Sequence, residues 1–398
     1  MAIVNSGQGD FYRFDETLSV EELMVRDALR NFLEQRGVQK TFRTCNIEER
    51  PIPIELIKKL AKMGIIGANI PDENGERLSN LGYGIIAREV EAADSALRSF
   101  ISVQGSLVTY SIWRFGSEEQ KKRWLTALCS VEAIGCFSLT ESYGGSNPAG
   151  LKTTAEERPD CYILNGSKNW ITNSPNADVA IIWARRKDEI CGFLVEKGTP
   201  GYETSHIKNK GSLRASSSGS ISLQDCKIPK ENMLPGAVGI KSAYSCLNKA
   251  RYGIAWGTAG IVRVCYEKIL ELVQSRAPFD SPLAGKQLVQ KDLAVIDANL
   301  VDMLSRLFHL SQLADQFDMG KISEFELGQH ISQAKWRCVQ LATDSVGRCL
   351  KLSGADGLTY EYPFWAHFAN LQTLCTYEGT ENIHTLIQGQ RITGKSAF

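Results

Sequence analysis

The sequence predicts a mainly α-helical protein with a β domain set between two helical ones. The expected layers are an α-helical bundle over 1–132, an antiparallel β sandwich or barrel over 133–240, and a C-terminal four-helix-type bundle over 241–398. Three observations carry this reading. Apolar residues recur at helical spacing to about residue 132. Short β-branched and aromatic runs then follow one another too closely for crossover helices. Long helical repeats return after Gly236 and persist. A chain of 398 residues also exceeds one ordinary core, which fits two or three domains.

Each element has its own signal. Ser19 to Glu22 reads as a capping box ahead of Leu23, Val25, Ala28, Leu29, Phe32 and Leu33. Ile54 to Met63 is amphipathic and closed by Gly64. Leu81 to Ser102 reads as one longer, more apolar helix. Ser117 with Gln120 opens another, turning Trp124, Leu125 and Leu128 inward. The β runs are Ala133–Leu139, Tyr162–Leu164, Asn169–Thr172, Val179–Ala184, Phe193–Val195 and Ser220–Leu223. Asn165-Gly166 between two of them predicts a hairpin turn. The later helices are expected over Ala243–Ser275, Gln287–Phe317, Glu324–Leu352 and Tyr362–Leu374, with a last one to about Ile392.

Composition narrows the function. Lys+Arg 45 balance Asp+Glu 45, so nothing favours nucleic acid or an anionic membrane. No apolar run is long enough to span a bilayer. Met1 to Asp15 lacks the basic start and apolar stretch of a secretory signal and is a poor transit peptide. This favours a bacterial cytoplasm, or a mitochondrial matrix if the chain is a processed form. Eleven cysteines without C-x-x-C spacing suit free thiols in a reducing compartment. The histidines form no metal-ligand pair, so no metal is expected.

Two strings that match nucleotide motifs lack the required context. Gly389 to Ser396 fits a phosphate-loop pattern, but no helix opens after it. Gly82-Tyr83-Gly84 with Ala87 echoes a dinucleotide fingerprint, yet no strand precedes it, and close-packing glycines in a helix are the better account.

The stretches that carry chemistry lie elsewhere. Thr376 to Thr380 places Glu378 between an aromatic and a glycine, just before a helix whose first turn is Glu381 to His384. Such a carboxylate either stabilises the positive helix end or serves as a base. Cys136 to Glu141, running into Gly144, Gly145 and Ser146, is a strand entering a glycine turn able to approach a planar ring. Asn169 to Ser174 ends a strand with Trp170 beside hydroxyls and amides. Arg98 continues an apolar helix, where it must pair with Glu91 or Asp94 or grip an anionic ligand.

Jointly these stretches resemble the acyl-CoA dehydrogenase family from near residue 19 onward, and within it the glutaryl-CoA dehydrogenases. Ile228–Gly236, Cys246–Gly257, Arg276 with Phe279, Gln287 and Gly354–Gly357 add to the match. The resemblance implies an FAD enzyme with Glu378 as catalytic base and the thioester carbonyl near its backbone N–H. It implies that Phe137, Leu139, Thr140, Ser146, Trp170, Ile171 and Thr172 line the flavin. Arg276, Phe279 and Gln287 would come from a neighbouring subunit, with Lys351, Ser353, Gly354, Ala355 and Thr380 near the far part of the cofactor. It places acyl-CoA against Ser146, Ser245, Asn248, Arg251 and Gly379. Arg98 would bind the far carboxylate of glutaryl-CoA, with Glu91, Ser99, Ser102 and Tyr377 around it.

The implied activity is α,β-dehydrogenation of glutaryl-CoA with loss of CO2 to give crotonyl-CoA. Electrons would pass to electron-transfer flavoprotein, and the assembly would be a homotetramer. Another dicarboxylyl-CoA, or an acyl-CoA-binding protein without turnover, stays open as an alternative. Asn147, Ala355, Asp356 and the Ala277-Pro278-Phe279-Asp280 run depart from the family pattern near the cofactor.

Overall fold

A computed structural model describes residues 12–72 and 75–397. The reading of the first eleven residues therefore lies outside the described residues. α1 (Val20–Leu33) starts on the expected box: Ser19 Oγ accepts from Glu22 N–H, and Glu22 accepts from Ser19 N–H. α2 (Arg36–Glu48) and α3 (Ile54–Ala61) follow. Gly64, in the left-handed region at φ 74°, turns the chain after α3.

The single helix expected from Leu81 to Ser102 is two. α4 (Asn80–Ala93) stops at Asp94, which is extended, and α5 (Ser95–Ser102) begins there. The Asp94 carboxylate accepts from the N–H groups of Ala96 and Leu97 at 2.7 and 3.0 Å. A short carboxylate that bonds its own downstream backbone competes with helix continuation, and here it wins. A π-helical stretch, Val103–Thr109, carries α5 into α6 (Tyr110–Phe115). Within it Gln104 donates to the carbonyls of Leu128 and Ala133 and accepts from Gly135 N–H, tying helices to the first strand. α7 (Glu118–Cys129) opens on the Ser117/Gln120 box and buries Trp124 and Leu128.

The strands are β1 (Gly135–Ser138), β2 (Thr154–Glu157), β3 (Cys161–Thr172), β4 (Val179–Arg186), β5 (Glu189–Glu196), β6 (Tyr202–His206), β7 (Ser218–Pro229) and β8 (Met233–Val238). They form one eight-stranded sheet in the order β6-β7-β3-β2-β4-β5-β8, with β1 also paired to β4. Most pairings are antiparallel, as expected, but β1 and β2 both meet β4 in parallel, so the sheet is mixed. It is also open, with β6 and β8 at its edges rather than closed into a barrel. β4 is buried on both faces. Val179, Ile181 and Trp183 join a core with α6, α7 and the following helix, while Ala180, Ile182 and Ala184 join the opposite one.

The hairpin expected at Asn165-Gly166 is absent, because β3 runs through it. Gly166, at φ 148°, sits at a register shift against β7, and a Cβ there would lie 2.6 Å from Thr153 Oγ1. The glycine serves an irregularity within a strand, not a turn.

α8 (Ile240–Ser275), α9 (Gln287–Asp318), α10 (Glu324–Ser353), α11 (Pro363–Thr376) and α12 (Glu381–Thr393) complete the chain close to their expected bounds. Gly389 lies inside α12 and Gly394 is its left-handed cap, so the phosphate-loop string is a helix end. α4 and α8 cross at backbone contact: a Cβ on Gly84 would meet the Trp256 indole at 2.5 Å, and one on Gly257 would meet Glu91 Oε2 at 2.7 Å. Those glycines bring Glu91 against α8. Among the described residues no helix is long and apolar enough to cross a membrane, and no cluster of side chains could hold a metal ion.

Candidate active site

The segment between α11 and α12 is the centre of the site. Thr380, not Glu378, caps α12, its hydroxyl accepting from Ile383 N–H at 3.3 Å. The helix-start reading of Glu378 is thereby removed. Glu378 has φ 54°, a left-handed conformation uncommon for a residue with a Cβ, and Gly379 follows at φ 105°. The turn is held from two helices. Arg251 Nε on α8 donates to Glu378 O at 2.7 Å. Lys335 Nζ on α10 donates to Tyr377 O at 3.0 Å and to Gly379 O at 2.8 Å. Gly379 must be glycine, since a Cβ there would lie 2.7 Å from His384 Nε2. His384 Nδ1 is bonded to Ser332 Oγ at 2.8 Å. Burial, then Lys335 and Arg251, hold its imidazole neutral.

Glu378 Oε2 is buried without a hydrogen-bond partner among the described residues. Burial raises the Glu378 pKa above the ordinary carboxylate value, and Arg98, Arg251 and Lys335 oppose that rise only in part. An unpaired, desolvated carboxylate is a poor stabilising anion and a competent proton acceptor.

Arg98 is only 2% exposed. Its Nε bonds Glu91 Oε2, its Nη2 bonds the Tyr377 hydroxyl, and its guanidinium lies 5.8 Å from the Tyr377 ring centre. Of the two acidic partners foreseen, Glu91 is the one used; Asp94 is occupied by the α5 cap and by Asn46 at 2.7 Å. Glu91 Oε1 and Ser102 Oγ are buried without partners among the described residues, and Ser99 is buried beside Arg98. Tyr377 thus joins the arginine to the Glu378 turn.

On α8, Ser245, Asn248 and Arg251 fall three residues apart on one face. Arg251 Nη1 donates to Asn248 Oδ1 at 3.3 Å, and Ser245 Oγ donates to Glu324. Ser245 and Asn248 line a cleft between α4, α8 and α10, together with Tyr83, Tyr110, Tyr252 and Glu324.

The strand-end residues make a second wall. Asn169 N–H donates to Thr140 O at 3.0 Å, which brings the ends of β1 and β3 together. Phe137, Leu139 and Ile171 are 8%, 6% and 3% exposed, so their side chains fill the core and only their backbone can face a ligand. Trp170 is 61% exposed, with φ 58°. Thr140 and Thr172 are half-buried beside it, and Ser146 and Asn147 are exposed. An uncovered aromatic face among hydroxyls and strand-end amides fits the flavin of FAD. A strap of chain joins this wall to the Glu378 segment: Asn173 N–H donates to Ser217 O, Leu213 N–H to Asn370 Oδ1, and Ser212 bonds Thr373.

The remaining cofactor candidates gather apart. Arg276 Nη1 donates to Ser353 O at 2.8 Å and Nη2 pairs with Asp356 at 2.5 Å, so Asp356, one of the family departures, takes up the arginine within this chain. Gly354 has φ 66°; Lys351, Gly354, Ala355 and Gln287 are exposed, and Phe279 is 94% exposed. Phe279 and Asp280 both have positive φ, at 58° and 56°, where the family pattern supplies a glycine after Phe.

Two buried lysines went unread in the sequence. Lys168 is fully buried and paired to Glu141 at 2.9 Å. Burial opposes it, but Thr153, Lys152 and Lys168 bring Glu141 down to about 2, while burial brings Lys168 down to about 8. Lys335 occupies a core position between Ile331 and Cys338 on the α10 repeat. For Lys335 the available signal was a lysine on the inward face of an apolar helical repeat; Lys168, between Ser167 and Asn169, carries no such pattern.

Three family models match the chain: acyl-CoA dehydrogenase N-terminal domain at residues 19–132, middle domain at 136–226, and C-terminal domain at 237–393. A glutaryl-CoA dehydrogenase from Mycobacterium smegmatis, solved in complex with FADH2, shares 38% identity over 99% of this chain and 100% of that one, with a TM-score of 0.94. A glutaryl-coenzyme A dehydrogenase in complex with glutaryl-CoA shares 27% identity over 96% and 97% of the two chains, with a TM-score of 0.88. The mitochondrial short-chain specific acyl-CoA dehydrogenase of Mus musculus is 32% identical over 92% of this chain and 88% of its own length.

Proposed function

The chain belongs to the acyl-CoA dehydrogenase family, and from that premise we propose how its own residues act on glutaryl-CoA. It is an oxidoreductase that dehydrogenates an acyl-CoA with FAD and hands the electrons to a partner of the electron-transfer flavoprotein kind. The observation that carries the choice of acyl group is the buried Arg98, braced by Glu91 and Tyr377 one residue from Glu378. A plain alkyl tail gives no return for burying a guanidinium; a terminal carboxylate does, through charge-assisted bonds.

The acyl-CoA enters between α4, α8 and α10, past Ser245 and Asn248, with its far carboxylate on Arg98, Ser99 and Ser102. Glu378 removes the α proton, and the thioester oxygen is met by backbone N–H groups of the Glu378 turn. FAD, when bound against Trp170, Thr140, Thr172 and Ser146, supplies the acceptor for the β hydride. The proton then carried by Glu378 is available to return to carbon as the carboxylate leaves as CO2, giving crotonyl-CoA. Phe279 and Gln287 serve the cofactor of a neighbouring copy in a homotetramer, and Arg276 joins them there by exchanging its Asp356 pairing for the cofactor. A reducing compartment, bacterial cytoplasm or mitochondrial matrix, suits the eleven free cysteines.

Anaerobic mixing with glutaryl-CoA tests this. Flavin absorbance should bleach, with crotonyl-CoA and CO2 formed in equal amounts when an acceptor is supplied. Glu378→Gln should keep its FAD and slow bleaching on the order of a hundred- to ten-thousand-fold. Because Glu378 must be ionised and its pKa is raised, the wild-type rate should climb with pH through a range above ordinary carboxylate titration. Glutaconyl-CoA accumulating without CO2 would reject the decarboxylating step.

A further inference from the structure

Lys335 is 1% exposed, on the face of α10 that packs into the C-terminal core. An ammonium in such a place is costly unless its donors are used. It donates to two main-chain carbonyls, those of Tyr377 and Gly379, which flank Glu378. Arg251 takes the carbonyl of Glu378 itself. Three successive carbonyls are therefore fixed by two buried cations, across a turn whose central residue has the left-handed φ of 54°. Isolated, such a turn would relax; held at both ends, it keeps the carboxylate in one direction.

We propose that Lys335 is a positioning residue for the base: it locks the Tyr377–Gly379 turn so that Glu378 aims at the α carbon. The proposal rests on the reading of Glu378 as the base. Among the described residues, the other charged and titratable groups facing Lys335 are Arg98 from α5, Arg251 from α8, Cys375 from α11 and Glu378 from the turn, with His384 on α12 held neutral. Burial brings Lys335 down to about 7, with Glu378 pulling the other way. Below that pH the lysine is charged and lowers the Glu378 pKa, so removing it should move the acidic limb of the rate profile to higher pH.

The test follows flavin bleaching by glutaryl-CoA anaerobically across pH, using FAD-loaded wild type, Lys335→Met, Lys335→Gln and Glu378→Gln. Lys335→Met should bleach on the order of a hundredfold more slowly, as for a misplaced catalytic group, with glutaryl-CoA affinity within about threefold. Its acidic limb should lie at higher pH. Lys335→Gln keeps a neutral donor, so it should recover much of the rate at high pH while retaining the displaced limb. Wild-type rate and limb in Lys335→Met overturn the proposal, as does a loss confined to glutaryl-CoA affinity. If Lys335→Met fails to hold FAD, an undisplaced limb in Lys335→Gln overturns it instead. Wild-type bleaching by Glu378→Gln would overturn the base reading and this proposal together. An inert Glu378→Gln beside an unaffected Lys335→Met overturns the proposal alone.

Discussion

At the scale of single residues, the site is an arrangement of buried charges whose partners come from distant parts of the chain. Arg98 meets Glu91 seven positions away and Tyr377 at the far end of the sequence. Truncating it leaves Glu91 buried and unpaired and a substrate carboxylate without its fork. Arg98→Ala should therefore lower kcat/KM for glutaryl-CoA by about ten- to a hundredfold, from charge-assisted bonds worth roughly 1.5–3 kcal/mol. Butyryl-CoA, lacking the carboxylate, should lose only a few-fold; equal losses would remove the assigned role. Glu378 was legible because the resemblance attaches to a contiguous stretch, and Arg98 because an arginine in an apolar helix needs an explanation. Lys335 and Lys168 were not read, because their partners are backbone carbonyls and a carboxylate that only tertiary packing brings near.

At the scale of elements, Asp94 divides one helical stretch into two. It ends α4, starts α5 and so sets the direction in which Arg98 points. Asp94→Ala should destabilise the protein by about 1–2 kcal/mol through the lost cap, read as a lower urea midpoint. Burial raises its pKa from 3.8 to about 6. The folded state then binds the proton more tightly than the unfolded one, so the stability added by that protonation, distinct from the cap, is full below about pH 4 and is lost as pH rises to about 6. An Asp94→Asn variant, which cannot titrate there, should lack that decline; parallel pH dependence in both would contradict it. The sequence concealed this break because Asp sits within otherwise unbroken helical periodicity. It concealed β3 for the opposite reason: Asn165-Gly166 carries turn chemistry, yet pairing with β7 on both sides outweighs it.

For the whole molecule, the α, β, α order was plain from changes in hydrophobic period, while the sheet's connections were not. Parallel pairing of β1 and β2 with β4 links segments separated by loops that carry no pattern of their own. The assembly is likewise invisible in one chain, but Phe279 at 94% and Leu288 at 78% exposed leave apolar surface beside Gln287 that a neighbouring copy would cover. Phe279→Asp should shift the protein to a smaller species in analytical ultracentrifugation and weaken FAD retention at least tenfold. An unchanged sedimentation profile with full FAD would argue that these residues serve neither purpose.

Trp170 has one last consequence. Trp183 and Trp256 are sealed in the interior, whereas Trp170 stands uncovered at the end of β3. A flavin laid against that indole, as proposed, would accept its excitation energy and give the chain a built-in optical gauge of how much of it is loaded. Dim ultraviolet-excited emission would then mark the filled state, and brightening would report departure, without any label being attached.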